Sequence, residues 1–179
     1  MNQKLTFLRE TLGLTEKEIS AFLNISSYKY ISFEKTAVEV PCDMVILLSR
    51  IYSIDINLFF DNHYSNQDLL TELIKQNIVE KNKEDILDHL RQNLFRNKDT
   101  KVTYRSIRKI KTDIQNNIIK FITALIKNNG MSLHDFAITI DVDKQSLDSI
   151  LSKKRFIELD ELMKVSERFK VSINDIVNG

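Results

Sequence analysis

The imidazoles of His63, His89 and His134 and the thiol of Cys42 are the side chains of this chain most suited to metal binding or nucleophilic attack. They are scattered. No pair has the spacing of a metal-ligand motif, and Cys42 has no second cysteine to partner it. His134-Asp135 matches half of a metal phosphohydrolase pattern, but no further cluster of His or Asp supports it, and its place after Ser132 suits the capped start of a helix. Three glycines cannot supply a phosphate-binding loop or a dinucleotide fingerprint. No catalytic constellation is left, so an enzyme is not expected, and neither a metal nor an organic cofactor is called for. What remains is electrostatic chemistry. Arg91, Arg96, Lys98, Lys101, Arg105, Arg108, Lys109 and Lys111 fall in one stretch with Asp99 as its only acid. Two readings are open for it: a solvated helix face, or a phosphate-contacting strip centred on Arg105, Arg108 and Lys109.

The elements that position these groups can be read from composition first. The chain has 179 residues, 42% apolar and 28% charged, a globular profile with room for two small helical domains and a connector. Three Gly and one Pro are too few for a sheet with many tight turns, so an all-α fold is expected. Net charge is +1, unevenly spread: residues 1–64 carry six basic against eight acidic side chains, 65–115 eleven against eight, and 116–179 nine against nine. This balance counts against strong non-specific attraction to a polyanion. The opening residues Met1 to Arg9 alternate polar and apolar types, unlike a signal peptide. The run Met44 to Leu48 is far short of the roughly 18 residues a membrane span needs. A soluble, reducing, cytoplasmic setting without membrane contact is the expectation, in keeping with a single cysteine.

Sliding the chain against itself by 117 positions aligns two segments without a gap. Leu5, Leu8, Gly13 and Leu14-Thr15 fall on Ile122, Leu125, Gly130 and Met131-Ser132; Ile19-Ser20, Leu23 and Ile25-Ser26 fall on Phe136-Ala137, Ile140 and Val142-Asp143. Tyr30 and Phe33 meet Leu147 and Ile150, and the tail from Val45 to Asn57 meets Leu162 to Asn174. Apolar meets apolar throughout, as repetition of a structural unit requires. Each copy reads as four or five short helices. Gly13 suits a helix stop, and Thr15-Glu16-Lys17-Glu18 predicts a capping box, with Ser132 to Asp135 as a weaker version because Asp is shorter. Ser26 and Asp143 are placed to cap the following helix, and Pro41 stands where a fourth begins.

The segments Leu14-Thr15-Glu16-Lys17-Glu18-Ile19-Ser20, Asn24-Ile25-Ser26 and Phe33-Glu34-Lys35, with their counterparts 117 residues on, resemble the Cro/phage-repressor (XRE) helix-turn-helix family. The resemblance implies two lambda-repressor-like bundles, 1–64 and 116–179, joined by a helical middle region, 65–115. It also implies sequence-specific binding of double-stranded DNA and transcriptional regulation, most naturally repression. The family's base-reading positions carry over onto Ser27, Tyr28 and Ser32 in the first copy and onto Lys144, Gln145 and Ser149 in the second. Gln can pair with adenine and Lys can donate to guanine, so the second copy has the more conventional surface. Lys29 and Lys35 in the first copy, and Lys153, Lys154 and Arg155 in the second, would face the phosphate backbone. Members often pair an Arg in the first helix with a Glu ending the third; Arg9 and Glu34 match, whereas Ile126 and Leu151 replace both together. An Arg9–Glu34 ion pair is therefore predicted. The chain departs from the family at Glu16 and Leu133, where a phosphate-contacting Gln is common, and at Thr36 and Lys153, where Gly often follows the third helix.

In the middle region, Leu69, Leu70, Leu73, Ile74 and Ile78 form one helical stripe, and Ile86, Leu87, Leu90 and Leu94 another. A longer pattern, Ile107, Ile110, Ile114, Ile118, Phe121 and Leu125, predicts a helix over 104–127 of roughly 35 Å. Such a seam suits a second helix, in this chain or in a partner copy; a homodimer on paired half-sites is the expectation, with an internal two-module arrangement as its competitor. A protein-interaction or dimerisation module with degenerate reading helices is the alternative function, and any effector is left unassigned.

Overall fold

The computed structural model describes residues 2–35, 39–60, 63–96 and 100–178, with the backbone alone at Asn2 and Phe60. Thr36, Lys98 and Asp99 lie outside the described residues. All regular structure among the described residues is α-helix. The helices are α1 (Asn2–Thr11), α2 (Glu16–Leu23), α3 (Ser27–Lys35), α4 (Cys42–Tyr52), α5 (Asn57–Phe60), α6 (Asn66–Lys75), α7 (Lys83–Phe95), α8 (Tyr104–Asn128), α9 (Leu133–Thr139), α10 (Lys144–Leu151), α11 (Leu159–Phe169) and α12 (Ile173–Asn178). None of them is long and apolar enough to cross a membrane.

The 117-residue offset reappears in the backbone. Moved by that offset, α2, α3, α4 and α5 land on α9, α10, α11 and α12 to within a residue or so, and α1 lands on the last turns of α8. Turn chemistry repeats with it. Gly13 and Gly130 take the left-handed conformation at φ 61° and 60°, as do Asn24 and Asp141 at 53° and 51° and Ser53 and Lys170 at 50° and 53°. After each, an amide reaches five residues back to close the helix: Leu14 to Arg9 at 3.0 Å, Met131 to Ile126 at 3.0 Å, Ile54 to Ser49 at 3.0 Å and Val171 to Ser166 at 3.1 Å. The Ser49 and Ser166 hydroxyls donate to the carbonyls of Ile54 and Val171 at 2.6 and 2.7 Å, the same clasp in both copies.

Contacts divide the chain into two compact units, Met1–Val40 with Met44–Ile107, and Pro41–Asp43 with Arg108–Gly179. The expected middle region is thus shared out: α6 and α7 belong to the first unit, and most of α8 to the second. In the first unit α1 packs on α3 and α6, and α2 on α3. Leu5, Leu8, Ile19, Tyr30, Phe33, Val45, Leu48 and Tyr52 are buried at its centre. Each such side chain contributes about 1.5–3 kcal/mol on leaving water, far more than helix propensity adds over these short elements. Helix α6 buries Leu69 and Leu73 and is followed by buried Ile78, while Ile74, assigned to the same stripe from spacing, faces solvent. The amides of Gln76 and Asn93 donate to the carbonyls of Tyr52 and Ile51 at 3.0 and 3.1 Å, satisfying acceptors that α4 leaves open at its end.

The second unit buries Ile114, Ile118 and Ile122 of α8 with Phe136, Leu147, Ile150, Leu162, Val165, Ile173 and Ile176. Phe136 and Phe169 stack with ring centroids 5.2 Å apart. Asn117 and Gln115 on α8 donate to the carbonyls of Val177 and Arg155 at 3.3 and 3.0 Å. Phe121 and Leu125, also in the predicted seam, are half-buried.

Arg9 and Glu34 form a two-point pair, Nε to Oε1 at 2.7 Å and Nη2 to Oε2 at 2.9 Å, with only 7% and 6% of each residue exposed. Arg9 Nη1 also donates to the Leu14 carbonyl at 3.0 Å. The Glu34 hydrogen bond, ahead of the opposing cost of burial, holds the guanidinium pKa above its ordinary value. Ile126 and Leu151, at the equivalent positions of the second unit, are half-buried. Arg9→Ile or Glu34→Leu alone strands a buried charge and is expected to cost about 3–5 kcal/mol in urea unfolding. The double variant, which installs the second unit's side chains, is expected to recover most of that loss; simple addition of the two costs would refute the pairing energetics.

Candidate functional site

The corner between α2 and α3, and its repeat between α9 and α10, is built by a short list of residues. Thr15 and Ser132 open α2 and α9 with capping boxes: the Glu18 amide donates to Thr15 Oγ1 at 3.3 Å and the Asp135 amide to Ser132 Oγ at 3.2 Å. The carboxylates return to the cap amides, Thr15 N to Glu18 at 2.8 Å and Ser132 N to Asp135 at 3.2 Å. Left-handed Asn24 and Asp141 then end the helices, and the amides of Ile25 and Val142 bond to the carbonyls of Ser20 and Ala137 at 3.1 and 3.0 Å. Asn and Asp tolerate this backbone region better than other side-chain-bearing residues. Ser20 and Ala137 are buried at the point where the helix pairs meet, and their small size permits close approach. Ser26 Oγ accepts from the Lys29 amide at 3.2 Å, and Asp143 Oδ1 from the Ser146 amide at 2.8 Å, so α3 and α10 start with satisfied donors.

On α10, Leu147 and Ile150 face the core, which leaves Lys144, Gln145 and Asp148 exposed and Ser149 half-buried. Ser149 donates to the Gln145 carbonyl at 2.8 Å, so its oxygen presents mainly acceptor capacity outward. Lys153 and Lys154 are exposed just past the helix, with Lys153 left-handed at φ 61° where glycine would be unstrained. Arg155 differs from its expected role as a free phosphate contact. Both its terminal nitrogens are engaged by Glu161, Nη1 to Oε2 at 2.8 Å and Nη2 to Oε1, and this pairing raises its pKa against the cost of burial.

The matching face of α3 is more aromatic and less basic. Tyr28 is 83% exposed, Ser32 is half-buried, and Lys35 is exposed. The Ser27 hydroxyl lies 3.2 Å from that of Ser20 and is spent on the corner itself. Lys29 is exposed with its ammonium 5.2 Å from the centroid of Phe33, a cation–π contact along its own helix. Three carboxylates gather round Arg9, those of Glu34, Glu10 at 3.4 Å and Glu16 at 3.8 Å. Glu16 stands at the start of α2, so acidic side chains flank this buried guanidinium.

Of the basic stretch, Arg105, Arg108 and Lys109 are all exposed on α8, and Lys101 is exposed ahead of it. Arg91 makes a surface pair with Asp88, and Lys111 pairs with Asp43. Elsewhere, Asp135 beside His134 serves the capping box. Among the described residues no three His, Cys, Asp or Glu side chains gather into a metal-binding group. Burial pushes the Cys42 thiol up to about 12, which keeps it protonated.

Sequence reading missed the Arg155–Glu161 pair, although a signal for it existed. At the offset of 117 those positions hold Val38 and Met44, a joint replacement of the same kind that singles out Arg9 and Glu34.

The Asp143 cap is pH-sensitive. Hydrogen bonds from Ser146 hold its carboxyl below the ordinary carboxylate value, so its stabilisation is fully present above the unfolded pKa of about 3.9 and is lost as pH falls through the lower folded value. Asp143→Ala is therefore expected to lower the melting temperature at neutral pH and to converge with the native chain in acid; a pH-independent gap would assign the loss to something other than the charged cap. No protein-family model, no curated protein and no solved structure matches the chain.

Proposed function

We propose that the chain is a sequence-specific DNA-binding regulator of transcription, acting as a repressor, and that its two repeated units are helix-turn-helix bundles of the Cro/phage-repressor kind. The observation that carries this reading is the exposed first turn of α10. Lys144 and Gln145 stand free of the core on a helix whose opposite face is anchored by Leu147 and Ile150 and whose angle is set by Asp141 and Ala137. A helix held this way offers a Gln amide to adenine and an ammonium to guanine in the major groove, with Ser149 beside them. Lys153 and Lys154, past its end, supply charge for phosphates, and α9 lies across the backbone. A second copy of the chain would supply the paired half-site.

The first unit contributes differently. The acidic setting of Arg9 and the partnered Ser27 hydroxyl leave Tyr28 as its most prominent exposed feature, together with Lys29 and Lys35. An exposed aromatic with a polar tip favours a protein contact, the second reading for this unit. DNA reading is accordingly assigned to α10.

Selection from random DNA followed by gel retardation and footprinting tests the proposal. Lys144→Ala and Gln145→Ala should each weaken the selected site by about 1–3 kcal/mol and relax its sequence preference. Lys153→Ala should weaken all sequences alike and reduce the salt slope by about 1. Replacing Arg105, Arg108 and Lys109 together should flatten that slope further if α8 touches phosphates; an unchanged slope makes them a solvated face. Retardation absent at low salt, or indifferent to Lys144 and Gln145, removes the regulator reading through α10.

A further inference from the structure

A cleft of about 580 Å³ opens on the first unit between the outer face of α2, helix α7 and the segment 100–102. Its size is that of a small-molecule site, for which about 300–1,000 Å³ is usual. Phe22, Leu87 and Val102 supply the apolar lining, Phe22 being buried and the other two half-buried. Arg91 from α7 and Lys101 from the segment ahead of α8 bring two cations to it from separate parts of the chain.

Among the described residues that line this cleft, two are basic and one is acidic. The acid, Glu18, is already answered by Lys83, 2.9 Å away on the first turn of α7, and by the Thr15 cap. Among the described residues Arg91 pairs with Asp88, an i−3 neighbour that is itself exposed, and such surface pairs exchange readily for a better anion. Among the described residues Lys101 makes no ion pair. The wall that carries it is held in place: Ser106 Oγ donates to the Lys101 carbonyl at 3.1 Å and accepts from the Thr103 amide at 2.9 Å. Two cations over an apolar lining favour a ligand with an anionic head and an apolar body. We propose that this cleft is a binding site for a small amphipathic anion, a carboxylate or sulfonate on an aromatic or branched aliphatic frame, with Arg91 and Lys101 on the anionic head and Phe22, Leu87 and Val102 on the body.

The site requires no DNA, so it can be tested apart from the function proposed above. The probe is 8-anilinonaphthalene-1-sulfonate, titrated by fluorescence into the full chain beside its uncharged counterpart N-phenyl-1-naphthylamine. One sulfonate site per chain is expected, binding more tightly than the neutral compound. Arg91→Gln with Lys101→Gln should weaken the sulfonate at least tenfold and leave the neutral compound within twofold. Ala21→Trp, at an exposed α2 position that borders the cleft, should abolish both while unfolding by circular dichroism stays unchanged. Sulfonate affinity unaltered by the double change, binding that survives Ala21→Trp, or a neutral compound that binds as tightly as the anion in the native chain would overturn the assignment.

Discussion

Helices of seven to nine residues do not hold together in water by themselves, so α2, α3, α9 and α10 exist only because their ends are closed and one face is buried. That closure is the constraint on which the rest depends. Asn24 and Asp141 turn left-handed, return the next amide to Ser20 or Ala137, and thereby fix where α3 and α10 leave the corner. Because the residue at the crossing is small, each pair packs closely, and the outer face of the second helix is left to solvent. Exposure of Lys144 and Gln145 is thus a consequence of backbone geometry two turns away.

The two units share this backbone but not their buried charges. The first joins α1 to α3 through Arg9 and Glu34; the second has apolar side chains there and places its own pair, Arg155 with Glu161, after α10. A buried ion pair replaced as a whole need cost nothing, whereas half a pair is expensive, so such exchanges occur two residues at a time. The exchange has an electrostatic consequence. Glu10 and Glu16 join Glu34 around Arg9 in the first unit, while in the second unit the start of α9 carries Leu133 in place of Glu16. A repeated architecture has in this way acquired two different surfaces.

The helices between the repeats have structural work of their own. Gln76 and Asn93 satisfy the final carbonyls of α4, and Lys83 pairs with Glu18 at the start of α2. These contacts bind α6 and α7 to the first unit, where α2, α7 and the segment 100–102 line the cleft.

By itself, the sequence determined the local features: helix type, the capping residues Thr15, Ser26, Ser132 and Asp143, the stops at Gly13 and Gly130, and the repeat of 117 residues. Each depends on neighbours within a turn or two, where residue type dictates hydrogen bonding. The pairing of Arg9 with Glu34 was also legible, because two copies in one chain allow a joint replacement to be seen. Tertiary structure decided which of the apparently equivalent side chains are available. Spacing puts Ile74 with Leu73 and Arg155 with Lys154, yet one member of each couple faces solvent and the other is engaged. Ser27 reads as a surface hydroxyl until Ser20 is found beside it. The cleft joins residues 18–22 to 87–102, a juxtaposition that periodicity cannot reveal, since burial is settled by what packs from elsewhere in the chain.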